Sequence, residues 1–203
     1  IRTLLGIGTL DDALGGGLAA GALHEIYGAA GRDAGAATGF ALGLARRLTG
    51  NTAPIVWLVQ SPAAGEYGHP YAPGLAEMGI DPNRLLLVQV RREEELLEAA
   101  LQSARNLLGG AIVIEPHGEA RQLDLTAGRK LALATEASGA SLLLLKIAAD
   151  PVASPAATRW RVSAAPSHGA PRHLMGPPRM EVELLRNRNG RTGTWIVEWN
   201  SDE

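Results

Sequence analysis

Three stretches follow one another without interruption: Gly21-Ala-Leu-His-Glu-Ile-Tyr27, Gly28-Ala-Ala-Gly-Arg-Asp-Ala-Gly35 and Ala36-Ala-Thr-Gly-Phe-Ala-Leu-Gly-Leu-Ala-Arg-Arg-Leu48. The first reads as a short strand and the second as a Gly/Ala-rich loop. The third predicts a helix from about Ala37 to Leu48, because Phe40, Leu44 and Leu48 recur along one face and Gly50 stops it. A strand that feeds a glycine-rich loop and then a helix is the opening unit of a parallel α/β sheet.

The same rhythm continues outward. Ile55-Val-Trp-Leu-Val59 is apolar throughout, as a strand buried on both faces should be. After a Pro/Gly-rich loop, Ala72 to Met78 predicts a helix stopped by Gly79, and Leu85 to Val90 a further buried strand. Glu93 to Leu108 carries acids in its first turn and Gly109-Gly110 beyond its end, the strongest helix signal of the chain. Ala111-Ile-Val-Ile114 is a third buried strand and ends at Glu115-Pro116. A helix capped by Asp124 or Thr126 then runs to Gly139, and Leu142 to Ile147 is a fourth strand. Strands alternating with helices imply a parallel sheet.

Beyond residue 150 the pattern changes. Thr158 to Ala164, Met180 to Leu185 and Thr194 to Trp199 alternate, and Asn189-Gly190 is a strong hairpin signal between the last two. The expected architecture is one α/β domain over 1–203. Its parallel core spans about 21–148 and its antiparallel edge about 158–200. Pro166 to Pro178, rich in proline and glycine, reads as a mobile loop.

Composition narrows the chemistry. At 203 residues, 46% hydrophobic and 20% charged, the chain is long enough to bury a full sheet-centred core. It has no cysteine, which excludes disulfides, thiolate catalysis and cysteine-based zinc sites. His24, His69, His117, His168 and His173 do not pair at helical spacing, so no metal is expected. A net charge of −2 gives no global attraction to nucleic acid. Locally, Arg159, Arg161, Arg172, Arg179, Arg186, Arg188 and Arg191 face only Glu181 and Glu183. No apolar run approaches the roughly 20 residues of a membrane span, and no leader is visible. A cytoplasmic protein is the expectation.

The loop after the first strand stands where a phosphate-binding G-x-x-x-x-G-K-[ST] loop belongs. Gly28, Gly31 and Gly35 are present, but the spacing is two residues longer. Ala36 replaces the lysine and Ala37 the metal-holding hydroxyl, which removes much of the stabilisation of phosphoryl transfer. One reading keeps a weakened anion site, with Arg32 and Thr38 as substitutes at the helix N-terminus. The other makes the loop a plain strand-to-helix connection, and Asp33, which repels phosphate, favours it. No cofactor is expected, with room left for weak ATP binding.

The order of motifs resembles the RecA core. Thr9-Leu-Asp-Asp-Ala-Leu-Gly15, the run from Gly21 to Gly28, and Tyr71 to Leu86 carry that likeness. Three further stretches are similar to the ImuA family, the RecA-like members of damage-induced mutagenesis cassettes: Leu123 to Gly139, Thr158 to Ser167, and Met180 to Gly190 leading to Trp195-Ile-Val-Glu198. The resemblance covers nearly the whole chain. It implies that Glu115 occupies the position of the metal-facing acid of RecA-like ATPases, as a residual acid or as a solvated strand terminus. It also places Gln60 and Ser61 where a glutamate base would be, with Glu66 farther along as a surface charge. The segment matching the single-strand DNA loop, Lys146 to Ala157, is short and has no aromatic.

By that resemblance the chain is a non-catalytic adaptor in SOS-type damage tolerance and error-prone translesion synthesis. The implied partners are an ImuB-type inactive Y-family polymerase homologue and an error-prone replicative-type polymerase subunit, with RecA a further candidate. Direct DNA binding is expected to be weak or absent. The alternatives are an ATP-binding RecA paralogue with an unorthodox loop, and a SulA-type division inhibitor. Arg159, Arg161, Arg186, Arg188, Arg191 and Trp199 form the candidate partner or DNA surface, against a bland reading as a solvated sheet edge.

Overall fold

The apolar runs become the strands of one eight-stranded sheet. The computed structural model describes residues 1–50, 52–167 and 176–199. In chain order the elements are β1 (Arg2–Thr3), α1 (Gly8–Ala13), β2 (Leu18–Ala19), β3 (Leu23–Gly28), α2 (Ala34–Thr49), β4 (Ile55–Gln60), α3 (Ser61–Tyr67) and α4 (Ala72–Glu77). There follow β5 (Leu85–Val90), α5 (Glu93–Asn106), β6 (Ala111–Glu115), α6 (Leu125–Ser138), β7 (Ser141–Ile147), β8 (Thr158–Ala164), β9 (Arg179–Asn187) and β10 (Gly193–Glu198). The sheet order is β10-β9-β8-β3-β7-β6-β4-β5, and β1 and β2 make a separate small ribbon. The fold is therefore α/β, mostly parallel, with an antiparallel C-terminal hairpin.

Side-chain size explains the layering. Ala37, Ala41 and Ala45, each four residues apart, are fully buried and let α2 lie close against β3, β7 and β8. Beside that seam Phe40 meets Trp160 edge-on, with ring centroids 5.3 Å apart, in the core shared with Trp57, Ile26 and Leu143. The opposite face packs α5 and α6 over Leu58, Ile112 and Leu142. Helix ends follow local chemistry. Asp124 caps α6 by accepting from the Ala127 amide at 2.8 Å, and left-handed Gly139 closes it.

Five local readings change. The helix after the first strand begins at Ala34 rather than Ala37, preceded by a single 3₁₀ turn at Gly31–Asp33. Alanine is the best helix former, and nothing in Ala34 to Ala37 holds that turn open. The Pro/Gly-rich loop after β4 contains α3, which Pro62 can start because the first helical turn does not use its missing N–H. β5 is an edge strand with Leu86 59% exposed, not a strand buried on both faces. β8 pairs parallel with β3, so the antiparallel direction begins at β9; its alternation arises because Trp160 and Val162 face α2 while Arg159 and Arg161 face the other side.

The fifth concerns Asn189-Gly190, which does form the turn before β10 but not a two-residue hairpin. β10 pairing starts at Gly193 opposite Leu184. The intervening turn is docked on α1, where the Ala13 carbonyl accepts from Asn187 Nδ2 at 2.9 Å and from the Arg191 amide at 3.0 Å. A Cβ on Gly190 would lie 2.2 Å from that carbonyl, so the close approach requires glycine. The expected mobile loop falls largely on residues 168–175, outside the described residues, as do Arg172, His168 and His173.

Candidate functional site

Trp57 in β4, Glu115 at the end of β6, the start of α2, the α3–α4 segment, the stretches 164–167 and 176–180, and Trp199 border one groove of about 1130 Å³. It takes in Gly35, Ala36 and Thr38 of the expected phosphate loop, and also Glu115. The other loop residues point elsewhere. Gly28 ends β3 beneath Ala37, and an added Cβ there would come within 2.8 Å of Ile147. Gly31 and Arg32 are exposed and do not line the groove.

Asp33 decides the electrostatics of this corner. It is the residue before α2, only 3% exposed, and its Oδ1 accepts from the Ala164 amide at 3.0 Å. The contact ties the end of β8 to the start of α2. It also puts a protein carboxylate near the positive end of the helix dipole, a charge that opposes an incoming phosphate.

Glu115 is not a solvated strand end. It is 3% exposed, and Trp57 Nε1 donates to its Oε2 at 2.9 Å. Val59 pairs with Glu115 and Trp57 with Val113, which sets Trp57 and Glu115 diagonally on the α2 face of the sheet. Burial pushes the Glu115 carboxyl above the ordinary glutamate range, and the indole N–H only partly opposes that. The residues expected in place of a base serve as stitching. Gln60 accepts from the His117 amide at 3.0 Å and donates to the Arg91 carbonyl, while Ser61 donates to the Val90 carbonyl. Exposed Glu66 pairs with His117 at 3.0 Å, and that hydrogen bond holds its carboxyl below the usual range. Among the described residues no group of three His, Asp or Glu side chains could hold a metal ion.

The arginines do not form one free patch. Arg159 is half-buried, its Nε donating to buried Glu25 at 2.8 Å and its guanidinium to Ser154 Oγ and the Val152 carbonyl. Arg186 donates to the Ser154 carbonyl, and Arg188 to the Pro155 carbonyl at 2.8 Å. These three therefore pin down the connection between β7 and β8. The sheet places Arg159, expected on the candidate surface, beside Glu25 on β3. Arg161 pairs with Glu183 at 3.0 Å at the half-exposed surface, and Arg191 is exposed in the turn. Trp199 is half-buried over Gly43, with Arg46 5.5 Å from its ring centre.

Sequence reasoning did not find Trp57 or Tyr67 as parts of the site, nor Asp33 as a buried anchor. Only the register of β4 against β6 could have paired Trp57 with Glu115. Among the described residues no helix is long and apolar enough to cross a membrane. No family model matches the chain. Two curated proteins named Protein ImuA, from two strains of Caulobacter vibrioides (NA1000/CB15N and ATCC 19089/CIP 103742/CB 15), are each 37% identical to it over 198 residues. The match covers 91% of this chain and 77% of each relative.

Proposed function

The chain belongs to the ImuA family, and from that premise we propose that it is a non-catalytic adaptor in damage-induced mutagenesis, acting through contacts with the polymerases of that response. The observation that carries this reading is the start of α2. Asp33 sits buried at the helix start with its carboxylate turned to the Ala164 amide, and Ala36 and Ala37 bring neither the ammonium nor the hydroxyl that phosphoryl transfer uses. The proposed partners are an ImuB-type inactive Y-family homologue, an error-prone replicative-type polymerase subunit and RecA. Pinning of the β7–β8 connection by three arginines supports weak or absent direct DNA binding. The proposed setting is the cytoplasm.

One observation favours a second reading, an ATP-binding paralogue: Glu115 and Thr38 line the same groove. The two part company in a simple comparison. The adaptor co-purifies with one or more of the three partners and shows no ATP hydrolysis with or without single-stranded DNA. Introducing Ala36→Lys and Ala37→Thr leaves hydrolysis absent, because Asp33 and the missing base remain. Turnover that disappears in Glu115→Gln would overturn the adaptor reading.

A further inference from the structure

We propose that the groove floored by Glu115 receives an arginine or lysine side chain carried on an extended, apolar-flanked segment of a partner protein. This rests on the adaptor reading, in that the groove is not a nucleotide site. The first argument is the carboxylate itself. Trp57 needs one acceptor, which a neutral glutamine would supply equally well, yet the position holds a buried acid with no ion pair among the described residues. A buried carboxylate without a cation is costly to keep ionised, and an arriving guanidinium or ammonium relieves that cost.

The walls fit the same ligand. Tyr67, Tyr71 and Trp199 border the groove with Leu75 and Met78, a surface that takes apolar side chains and attracts cations to ring faces. Among the described residues an anion finds little to hold it. Arg179 is engaged by Glu198 at 3.3 Å and by the Pro166 carbonyl, His69 stands exposed at the rim, and Glu77 adds a second carboxylate there. Room for the segment comes from α2, whose contributions Gly35, Ala36 and Gly39 have almost no side chain.

Those glycines also make the test clean. A Cβ at Gly35 would meet nothing within 4 Å, and one at Gly39 only the Met180 methyl at 3.9 Å, so a side chain can start into the groove at either position without a backbone clash. Labelled peptides acetyl-Ala-Leu-Xaa-Leu-Pro-Ala-amide, with Xaa as arginine, lysine, norleucine or glutamate, are titrated against the full chain by fluorescence anisotropy. Arginine and lysine peptides should bind at least about tenfold more tightly than the other two. Glu115→Gln should erase that preference, and Gly39→Leu or Gly35→Met should block all four peptides with an unchanged melting curve. No preference for the cationic peptides, or wild-type binding by folded Glu115→Gln, overturns the proposal. A parallel titration with ATP separates the two readings. Saturable ATP binding at the groove counts against the adaptor, whereas silence toward both ATP and the peptides overturns the cation site alone.

Discussion

The Thr158 hydroxyl donates to Nδ1 of His24 across 2.7 Å, in a direction dictated by the outer partners of both groups. His24 Nε2 lies 2.8 Å from the Ala19 carbonyl, which can only accept, so that nitrogen carries the hydrogen and Nδ1 does not. Thr158 Oγ1 in turn accepts from the Trp160 indole at 2.8 Å. The result is a buried relay, from Trp160 through Thr158 and His24 to Ala19, joining β8, β3 and β2. It is complete only while His24 is neutral.

Acid should therefore loosen the fold. Burial lowers the His24 pKa from 6.5 to about 4, with the Ala19 hydrogen bond partly opposing it. Because the unfolded chain binds the proton first, this contribution is full above about pH 6.5, shrinks as the pH falls to about 4, and is constant below. The loss over that window is about 3 kcal/mol, an order of magnitude drawn from the shift alone. Urea unfolding of wild type and His24→Gln from pH 7 to pH 4 checks it. The gap between the two should narrow toward acid, and parallel curves would show that His24 is not the group responsible.

Arg159 and Arg161, two residues apart on β8, should respond very differently to alanine. Removing Arg159 strands Glu25 as a buried charge, at a cost of about 3–5 kcal/mol. Removing Arg161 breaks a half-exposed pair with Glu183, worth under about 1 kcal/mol. Denaturant midpoints measure both, and equal losses would contradict the burial difference. A DNA-binding deficit in Arg159→Ala must then be read against its stability.

Much of the fold was legible because burial on both faces leaves its own mark. Ile55 to Val59 and Ala111 to Ile114 are apolar throughout and lie inside the sheet, each with a strand on both sides. Leu85 to Val90 carries the same mark yet lies at an edge, since an apolar run records the preference of a strand for burial and not its neighbours. The parallel run of β8 was hidden for a related reason. Its outward face bears Arg159 and Arg161, which satisfy Glu25 and Glu183, so it alternates like an antiparallel edge strand. At the candidate site, Ala36 and Ala37 marked a loop without lysine or hydroxyl, but the groove joins residues as far apart in the chain as Gly35, Trp57, Glu115, Ala164 and Trp199. No local pattern carries Trp57 to Glu115 or Asp33 to Ala164.

Glu115 should be a burden on the isolated fold. Its carboxyl is held above the ordinary range by burial, so the folded state binds its proton more readily than the unfolded chain. Stability from this group thus falls as the pH rises from the unfolded value through the folded one, and stays reduced at neutral pH. Glu115→Gln, which keeps an acceptor for Trp57, should melt higher than wild type at pH 7.5 and alike at pH 4. A lower melting temperature at pH 7.5 would mean that the charge is already compensated within the chain.

The outer edge of β10 is the last place where the adaptor reading meets a test, and it is independent of the groove. Among the described residues β10 pairs only with β9, so one row of its backbone N–H and C=O groups has no described strand beside it. Ile196 stands 49% exposed on this strand, an apolar residue on an edge that a solitary protein would blunt with charge. Arg186 and Arg188, pinned to the β7–β8 connection, are poor probes of that edge because their loss would also loosen the connection. Ile196→Lys changes one outward side chain and keeps the strand's backbone pairing. A partner that adds a strand here should lose at least about tenfold in affinity, while the melting temperature moves little. Binding of all three proposed partners at wild-type strength by the folded variant would remove this edge from the interface and leave the Glu115 groove as the surface to pursue.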